Sequence, residues 1–338
     1  MQDVAKDLKK AKNILEEGGV IGLPTETVYG LAARIDIPSA IEKIFLTKER
    51  PFFDPLIVHV STLEMAKKVT AYWGPASQAL AEAFWPGPLT MVLPRDASVN
   101  TMITSGLETV GIRMPKHRIA LNLIDAAGVP LAAPSANKFG KTSPTSANHV
   151  RTEFQKENVF VLDGGDCDIG IESTVLAVRH LADTVQLSIL RRGHVLKTDI
   201  ESVLKAAGIK CEFVETTDKR ESPGHMKHHY MPPIPLIVVT TPKIAPEQAV
   251  LEANSKMSDL PDEIESIKII KPKNGIHTFQ ILKLSNDPLL ATREFYGKLR
   301  EVAALGGDCI LFYRDVGQVG ERWESLFDRL NKAASLIL

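Results

Sequence analysis

Three cysteines are all that the 338 residues hold, Cys167, Cys211 and Cys309, and no two of them form a CxxC pair. That scarcity excludes a disulfide framework, gives no zinc-ligand spacing and points to a reducing cytoplasm. Aromatic residues are also few, with 3 Trp and 5 Tyr, which leaves little for stacking nucleic-acid bases. A charge of one sign is missing: 40 Lys plus Arg stand against 41 Asp plus Glu. No global field therefore draws the chain to nucleic acid or to an anionic membrane, and an anionic ligand must meet a local cluster. Nowhere do about 18 apolar residues run uninterrupted, and charges break up MQDVAKDLKKAKNILEEGG, where a secretory leader needs an apolar core. Neither secretion nor membrane spanning is expected.

What is present is an ordinary globular mixture, 44% hydrophobic and 24% charged, in a length that favours two domains over one. Val4, Leu8, Ala11, Ile14 and Leu15 recur at helical spacing until Gly18-Gly19, and Val20 to Leu23 reads as a short buried strand. Ser39 with Glu42 predicts a capping box for a helix whose end presents Lys48 and Arg50. Helical patterns near 62–71 and 75–84 alternate with strand-like runs at 89–93, 110–114, 131–133, 159–162, 174–178 and 188–191. Thr198 with Glu201 predicts one more capped helix ending near Gly208. Apolar periodicity then lapses until Leu236, across Ser222-Pro223-Gly224 and a run of His, Tyr and Pro. Beyond it, helix-like 245–256, 287–304 and 321–336 alternate with strand-like 236–240, 267–271, 278–283 and 308–313. The pattern is α/β throughout, with boundaries expected at 1–208, 209–235 for a linker, and 236–338 for a second α/β domain.

Several loops collect polar residues beside apolar strands. Pro24-Thr25-Glu26-Thr27-Val28-Tyr29-Gly30 follows a buried strand, the edge at which open α/β sheets usually bind ligands, although Gly30 could equally close an ordinary turn. Lys48-Glu49-Arg50-Pro51 pairs a point charge with an Arg fork, a combination able to share the charge of a polyphosphate; a lone pair of this kind is more often a solvated helix end. Ala133-Pro134-Ser135-Ala136-Asn137 has small residues that admit close backbone approach to phosphate oxygens. Gly140-Lys141-Thr142 imitates the end of a phosphate-binding P-loop, but Ser135 stands where the first glycine belongs, so that motif is rejected. Thr109 to Arg113, Ile171 to Thr174 and Arg191 complete the set. His59 inside an apolar strand is more often a hydrogen-bonded core residue, and His225 with His229 has zinc spacing only on a helix, which Pro223 and Gly224 disfavour.

Taken in order, PTETVYGL, KERP with DPLIVHV, WPGPLT, TVGIRMP, APSAN, LDGG with GIESTVL, and ILRRG resemble the motif series of the YrdC-type threonylcarbamoyl-AMP synthases over residues of about 15 to 195. SPG followed by HHYMP and a further α/β domain resembles the long two-domain form. The resemblance implies a twisted mixed N-terminal sheet with a deep basic cleft, a smaller Rossmann-like C-terminal domain, and a linker folding over the active site. It implies that L-threonine, bicarbonate and ATP with Mg2+ become L-threonylcarbamoyladenylate and pyrophosphate. Partner threonylcarbamoyl-transferase proteins would then act on tRNA, with at most weak tRNA binding here. Position by position, Thr27, His59, Arg113, Ser173 and the Ala133 backbone resemble the threonine site. Lys48, Arg50, Asp54, Thr109, Ser135, Asn137, Ser143, Arg191 and His229 or Tyr230 resemble the ATP site, with Lys48 and Arg50 as the catalytic pair. Two departures are visible: Asp54 stands where the family has Asn, and Arg192 where it has Pro.

Two rival readings compete with this enzyme. One is a non-catalytic module holding double-stranded RNA or tRNA in a local basic cleft, which the near-neutral charge disfavours. The other is a carbamoyl-transfer enzyme related to hydrogenase maturation factors, which lacks its zinc-finger cysteines here.

Overall fold

The computed structural model describes residues 4–215, 223, 226, 228–240, 244–264, 267–272 and 274–338. They form two compact units, one of Met1–Lys138 with Pro144–His225, the other of Phe139–Ser143 with Met226–Leu338.

In the first unit the helices are α1 (Val4–Glu16), α2 (Pro38–Lys48), α3 (Leu63–Lys68), α4 (Pro75–Phe84), α5 (Arg118–Ala127), α6 (Ala147–Glu153) and α7 (Lys197–Ala206). The strands are β1 (Ile21–Leu23), β2 (Gly30–Arg34), β3 (Ile57–His59), β4 (Leu89–Pro94), β5 (Thr109–Arg113), β6 (Leu131–Ala132), β7 (Phe160–Val161), β8 (Thr174–His180), β9 (Val185–Arg191) and β10 (Cys211–Phe213). They make one mixed sheet in the order β10-β9-β8-β4-β5-β3-β6-β2-β1-β7. Because strand side chains alternate between faces, neighbouring residues of β2 enter different cores. Ala32 joins Leu15, Ile21, Leu123 and Ile124 beneath α1 and α5. Leu31 and Ala33 join Ile41, Phe45, Leu80 and Leu204 beneath α2, α4 and α7. Helices on both faces explain why these strands read as unbroken apolar runs.

Three local features differ from the sequence-based expectations, and each has a physical reason. Helix α2 begins at Pro38 with Ile37 as its N-cap and no side-chain cap bond, so the Ser39–Glu42 box does not form; proline's fixed φ starts the helix two residues early. Helix α7 begins at Lys197, and Asp199, not Glu201, reaches back to the Leu196 amide at 3.1 Å. Cys211–Phe213, inside the stretch expected as linker, pairs in parallel with β9 as an edge strand.

The second unit contains α8 (Pro246–Met257), α9 (Pro288–Ala304) and α10 (Glu321–Ala333), with strands β11 (Leu236–Val239), β12 (Glu263–Ile264), β13 (Ile267–Lys268), β14 (Phe279–Ile281), β15 (Cys309–Tyr313) and β16 (Leu336–Ile337). A parallel sheet runs β14-β15-β11-β16. Ile237, Leu311, Ala249 and Ala253 pack one of its faces against α8. Among the described residues no helix is long and apolar enough to cross a membrane.

Candidate active site

β1 and β2 are antiparallel neighbours with Leu23 opposite Gly30, so the loop between them leaves and re-enters the sheet at one point. Gly30 begins a strand and does not merely close a turn. Its missing side chain matters, because a Cβ there would lie 3.1 Å from Ala133 Cβ, and the close approach lets Gly30 bridge Ser135. Tyr29 ties the loop to the LDGG segment: its hydroxyl donates to the Gly165 carbonyl at 2.7 Å and accepts from the Gly164 amide at 3.0 Å. Burial raises the pKa of that phenol, so it stays neutral.

Within the loop the Thr25 hydroxyl donates to the Val28 carbonyl at 2.6 Å. The 2.9 Å contact between the Thr25 and Thr27 hydroxyls therefore has Thr27 as donor. The lone pairs of Thr27 Oγ1 face Arg113, whose Nη1 donates to it at 2.9 Å. Arg113 also donates through Nε to the Gly87 carbonyl at 3.2 Å, and its Nη2 stands 2.7 Å from Glu26 Oε1. Only 4% of Arg113 is exposed and 4% of Glu26. A guanidinium held on three sides has its plane fixed before any ligand arrives.

The parallel register of β3 and β5 sets His59 beside Arg113. Burial, with the Arg113 charge second, brings the His59 pKa from 6.5 down to about 3. The ring is thus neutral at ordinary pH. Its Nδ1 lies 3.3 Å from the Ile57 carbonyl, which can only accept, so Nδ1 carries the hydrogen and Nε2 presents a lone pair. On the next strands Ser173 Oγ lies 2.8 Å from Thr90 Oγ1 and accepts from Arg191 Nη2 at 3.1 Å. Arg191 donates through Nε to the Ser173 carbonyl at 3.1 Å as well. Thr109, at the start of β5, lines a cavity with Thr90, Gly111, Val175 and Pro223.

The cationic cluster is built by one reversal of the chain. Helix α2 stops at Lys48 because Glu49 takes the left-handed conformation, φ 54°, with its amide bonded back to Leu46 and the Arg50 amide to Phe45. Both cations then turn inward, Lys48 to 1% exposure and Arg50 to 6%. Lys48 Nζ donates to the Ser135 and Asn137 carbonyls, which joins the helix end to the APSAN loop. Burial, and next the Arg50 charge, hold this ammonium well below the usual lysine range. Arg50 donates to the carbonyls of Asp54 at 3.1 Å and Pro55 at 2.8 Å, and pairs with Asp54 Oδ2 at 2.9 Å. Ala133 donates its amide to the Ile57 carbonyl at 3.0 Å, locking that loop beside β3.

The first unit thus brings together Thr27, His59, Arg113, Ser173 and Arg191 on one side, and Lys48, Arg50, Asp54, Ser135 and Asn137 on another. Arg192, the extra cation of ILRRG, is exposed. Ser143, His229 and Tyr230 are buried in the second unit, and His225 lies outside the described residues. Sequence reasoning missed Glu26 as the partner of Arg113 and Thr90 as the partner of Ser173. A carboxylate between two threonines in TET was the available signal for the first; the second needed the β4–β8 pairing.

Residues 13–193 match the Sua5, YciO and YrdC family described as "Telomere recombination", and residues 195–335 match "Threonylcarbamoyl-AMP synthase, C-terminal domain". A threonylcarbamoyl-AMP synthase of Pyrococcus abyssi is 35% identical over 305 residues, covering 90% of this chain and 87% of that protein. One from Schizosaccharomyces pombe is 32% identical, with 98% of this chain and 88% of the relative covered. Among solved structures, the crystal structure of P. abyssi Sua5 complexed with L-threonine superposes with a TM-score of 0.78 at 32% identity, over 98% of this chain and 95% of that one. A loop–arginine–histidine arrangement, a buried cation pair and both halves of the chain point the same way, and the chain belongs to the threonylcarbamoyl-AMP synthase family in its two-domain form.

Proposed function

We propose that this chain condenses L-threonine, bicarbonate and ATP into L-threonylcarbamoyladenylate and pyrophosphate. The observation that carries the reading is the immobilised Arg113, held by Thr27, Glu26 and Gly87 beside a neutral His59, because a planar fork fixed in advance suits an amino-acid carboxylate. His59 Nε2 and Ser173 Oγ supply an acceptor and a hydroxyl for the remaining polar atoms of threonine. The relative solved with L-threonine supports this choice of amino acid.

In the reaction, threonine's ammonium loses a proton and its nitrogen forms a C–N bond with the bicarbonate carbon, releasing water and leaving a carbamate. A carbamate oxygen then attacks the α-phosphorus of ATP, and the bond to the bridging oxygen breaks as pyrophosphate departs. No covalent enzyme nucleophile is needed. Lys48 and Arg50 would hold the phosphate charge, and an arriving phosphate restores the fully charged state that burial disfavours at Lys48. Thr109, Ser135, Asn137, Ser143 and Arg191, with His229 and Tyr230 of the linker, are proposed for the rest of the nucleotide, the linker closing over it to keep water from a labile adenylate.

Mg2+ is proposed to travel on the triphosphate and neutralise part of its charge. The donor set suits this: Asp54 Oδ2 already pairs with Arg50 at 2.9 Å, so this carboxylate offers a hard cation little beside what phosphate oxygens give. The product would pass to a threonylcarbamoyl-transferase that acts on tRNA, in the cytoplasm, where the free thiols of Cys167, Cys211 and Cys309 are at home.

The test mixes the protein with ATP, labelled bicarbonate and a panel of amino acids. Labelled adenylate with threonine alone is the expected outcome. Absence of adenylate with every amino acid, together with steeply salt-dependent tRNA binding that ignores ATP, would replace the enzyme with an RNA-binding module.

A further inference from the structure

The large sheet of the first unit ends at β10, which pairs with β9 and with no other described strand. The Val185 amide donates to the Lys210 carbonyl at 3.0 Å, and the Val214 amide donates to the Leu187 carbonyl at 2.9 Å. Successive residues of a strand turn their backbone groups to opposite sides. Cys211 and Phe213, which lie between those two contacts, therefore aim their amides and carbonyls away from β9, along the outer edge of the sheet. Such a row of donors and acceptors is a template for another strand.

That edge borders a groove of about 630 Å3, several strands away from His59 on β3 and Arg113 on β5. Helix α7 forms its other wall. Lys197, Glu201 and Lys205 recur every fourth residue and so share one face of the helix, and Lys210 stands where the chain enters β10. All three lysines are exposed. Glu201 lies 3.6 Å from Lys197, which leaves the groove with a positive balance. Glu212, the acid of β10, is on the opposite pleat and accepts from Gln186 at 2.7 Å. Lys197 Nζ lies 4.8 Å over the Phe213 ring, so that aromatic face is covered and offers a nucleobase no platform.

We propose that β10 and α7 form a docking groove for an acidic, extended segment of a partner protein. The segment adds as a strand beside Cys211 and Phe213 and sets its carboxylates against Lys197, Lys205 and Lys210. Peptide amides and carbonyls match the open edge, whereas an RNA backbone carries no such alternating row. A second copy of this chain would set lysines against lysines. Lysines that merely guard an edge against aggregation stand on the edge strand itself; here Lys197 and Lys205 stand on the facing helix, across a hollow. The inference is independent of the adenylation reading above.

The test uses the full chain and a fluorescein-labelled, end-capped peptide of alternating glutamate and valine, followed by fluorescence anisotropy. Saturating peptide is expected to slow amide hydrogen exchange at Cys211 and Phe213 at least about tenfold. N-methylation of the peptide in one alternating phase should abolish binding, and in the other phase should leave it intact, because only every second amide of an added strand faces the edge. Lys205→Glu combined with Lys210→Glu is expected to weaken binding about tenfold, with an unaltered circular dichroism spectrum. A peptide of alternating lysine and valine should not bind. Failure of the acidic peptide to bind, or binding indifferent to the lysine reversals, overturns the proposal. So does equal loss in both N-methyl phases, or in neither, which would leave surface charge without strand addition. Mixed-sequence single-stranded RNA that displaces the peptide and protects no β10 amide would make the groove a nucleic-acid surface. A concentration-dependent dimer that the peptide dissociates would make the occupant a second copy, and either result also overturns the proposal.

Discussion

Arg50 and Asp54 face each other with 2.9 Å between Nη2 and Oδ2, and neither is more than 6% exposed. The acid that stands where the resemblance implies Asn has thus captured part of a cation proposed for phosphate. Neither Lys48 nor a metal is required to offset its charge.

Asp54→Asn should therefore keep the fold, since the amide can still meet Arg50 as an acceptor, and should release guanidinium charge toward the nucleotide. The KM for ATP is expected to fall about tenfold, in line with about 1.5 kcal/mol, the lower end for one charge-assisted contact. A higher KM in the Asn variant would mean that Asp54 itself supports the nucleotide.

Arg50→Ala tests the phosphate site directly. Removing one preorganised donor costs about 3 kcal/mol of transition-state stabilisation, on the order of 100-fold in rate. Threonine-dependent pyrophosphate release should drop by that amount with an unaltered circular dichroism spectrum. Wild-type turnover would move the phosphates elsewhere.

Arg113→Lys removes a planar fork that Thr27, Glu26 and Gly87 hold at once, and an ammonium cannot reproduce those three directions. The KM for threonine is expected to rise about 100-fold and that for ATP to change little. Equal increases in both would indicate a general disturbance.

His59 carries a pH dependence of defined sign. The unfolded chain takes up its proton near 6.5, whereas the folded protein resists until about 3. Between those values the unfolded state binds more protons, so stability is fully present above the upper one and is lost as pH falls toward the lower. The slope reaches about 1.4 kcal/mol for each pH unit. Urea unfolding between pH 7 and 4 should show this slope in wild type and lose most of it in His59→Asn.

The sequence was most legible where one rule decided the outcome. The apolar runs at β4, β5, β8 and β11 became strands within two residues of expectation because burial on both faces leaves no alternation to misread. Helices α5 and α6 and the strand β2 escaped notice: α5 and α6 are short and lack a capping box, although Gly128 does stop α5 in the left-handed conformation, and β2 is built of small residues, Gly-Leu-Ala-Ala, whose place is set by Ala133 approaching Gly30. Caps failed where proline or a nearer acid took over, as at Pro38 and Asp199. The site residues Thr27, Arg113, Lys48 and Arg50 were found as motif members, but their pairings were not. Glu26 with Arg113 and Asp54 with Arg50 are relations that only the folded chain creates.

The backbone turn at Glu49 is a single point on which the burial of Lys48 and Arg50, the cations proposed for phosphate, depends. A residue with φ near 54° tolerates glycine or asparagine and resists a β-branched side chain or proline. Exchange of this exposed glutamate, whose carboxylate pairs with Lys138 at 2.8 Å, for valine would extend or distort the helix end and swing the Lys48 ammonium and the Arg50 guanidinium out of register. An innocuous surface position is therefore as constrained, through its torsion angles alone, as the charged neighbours it separates.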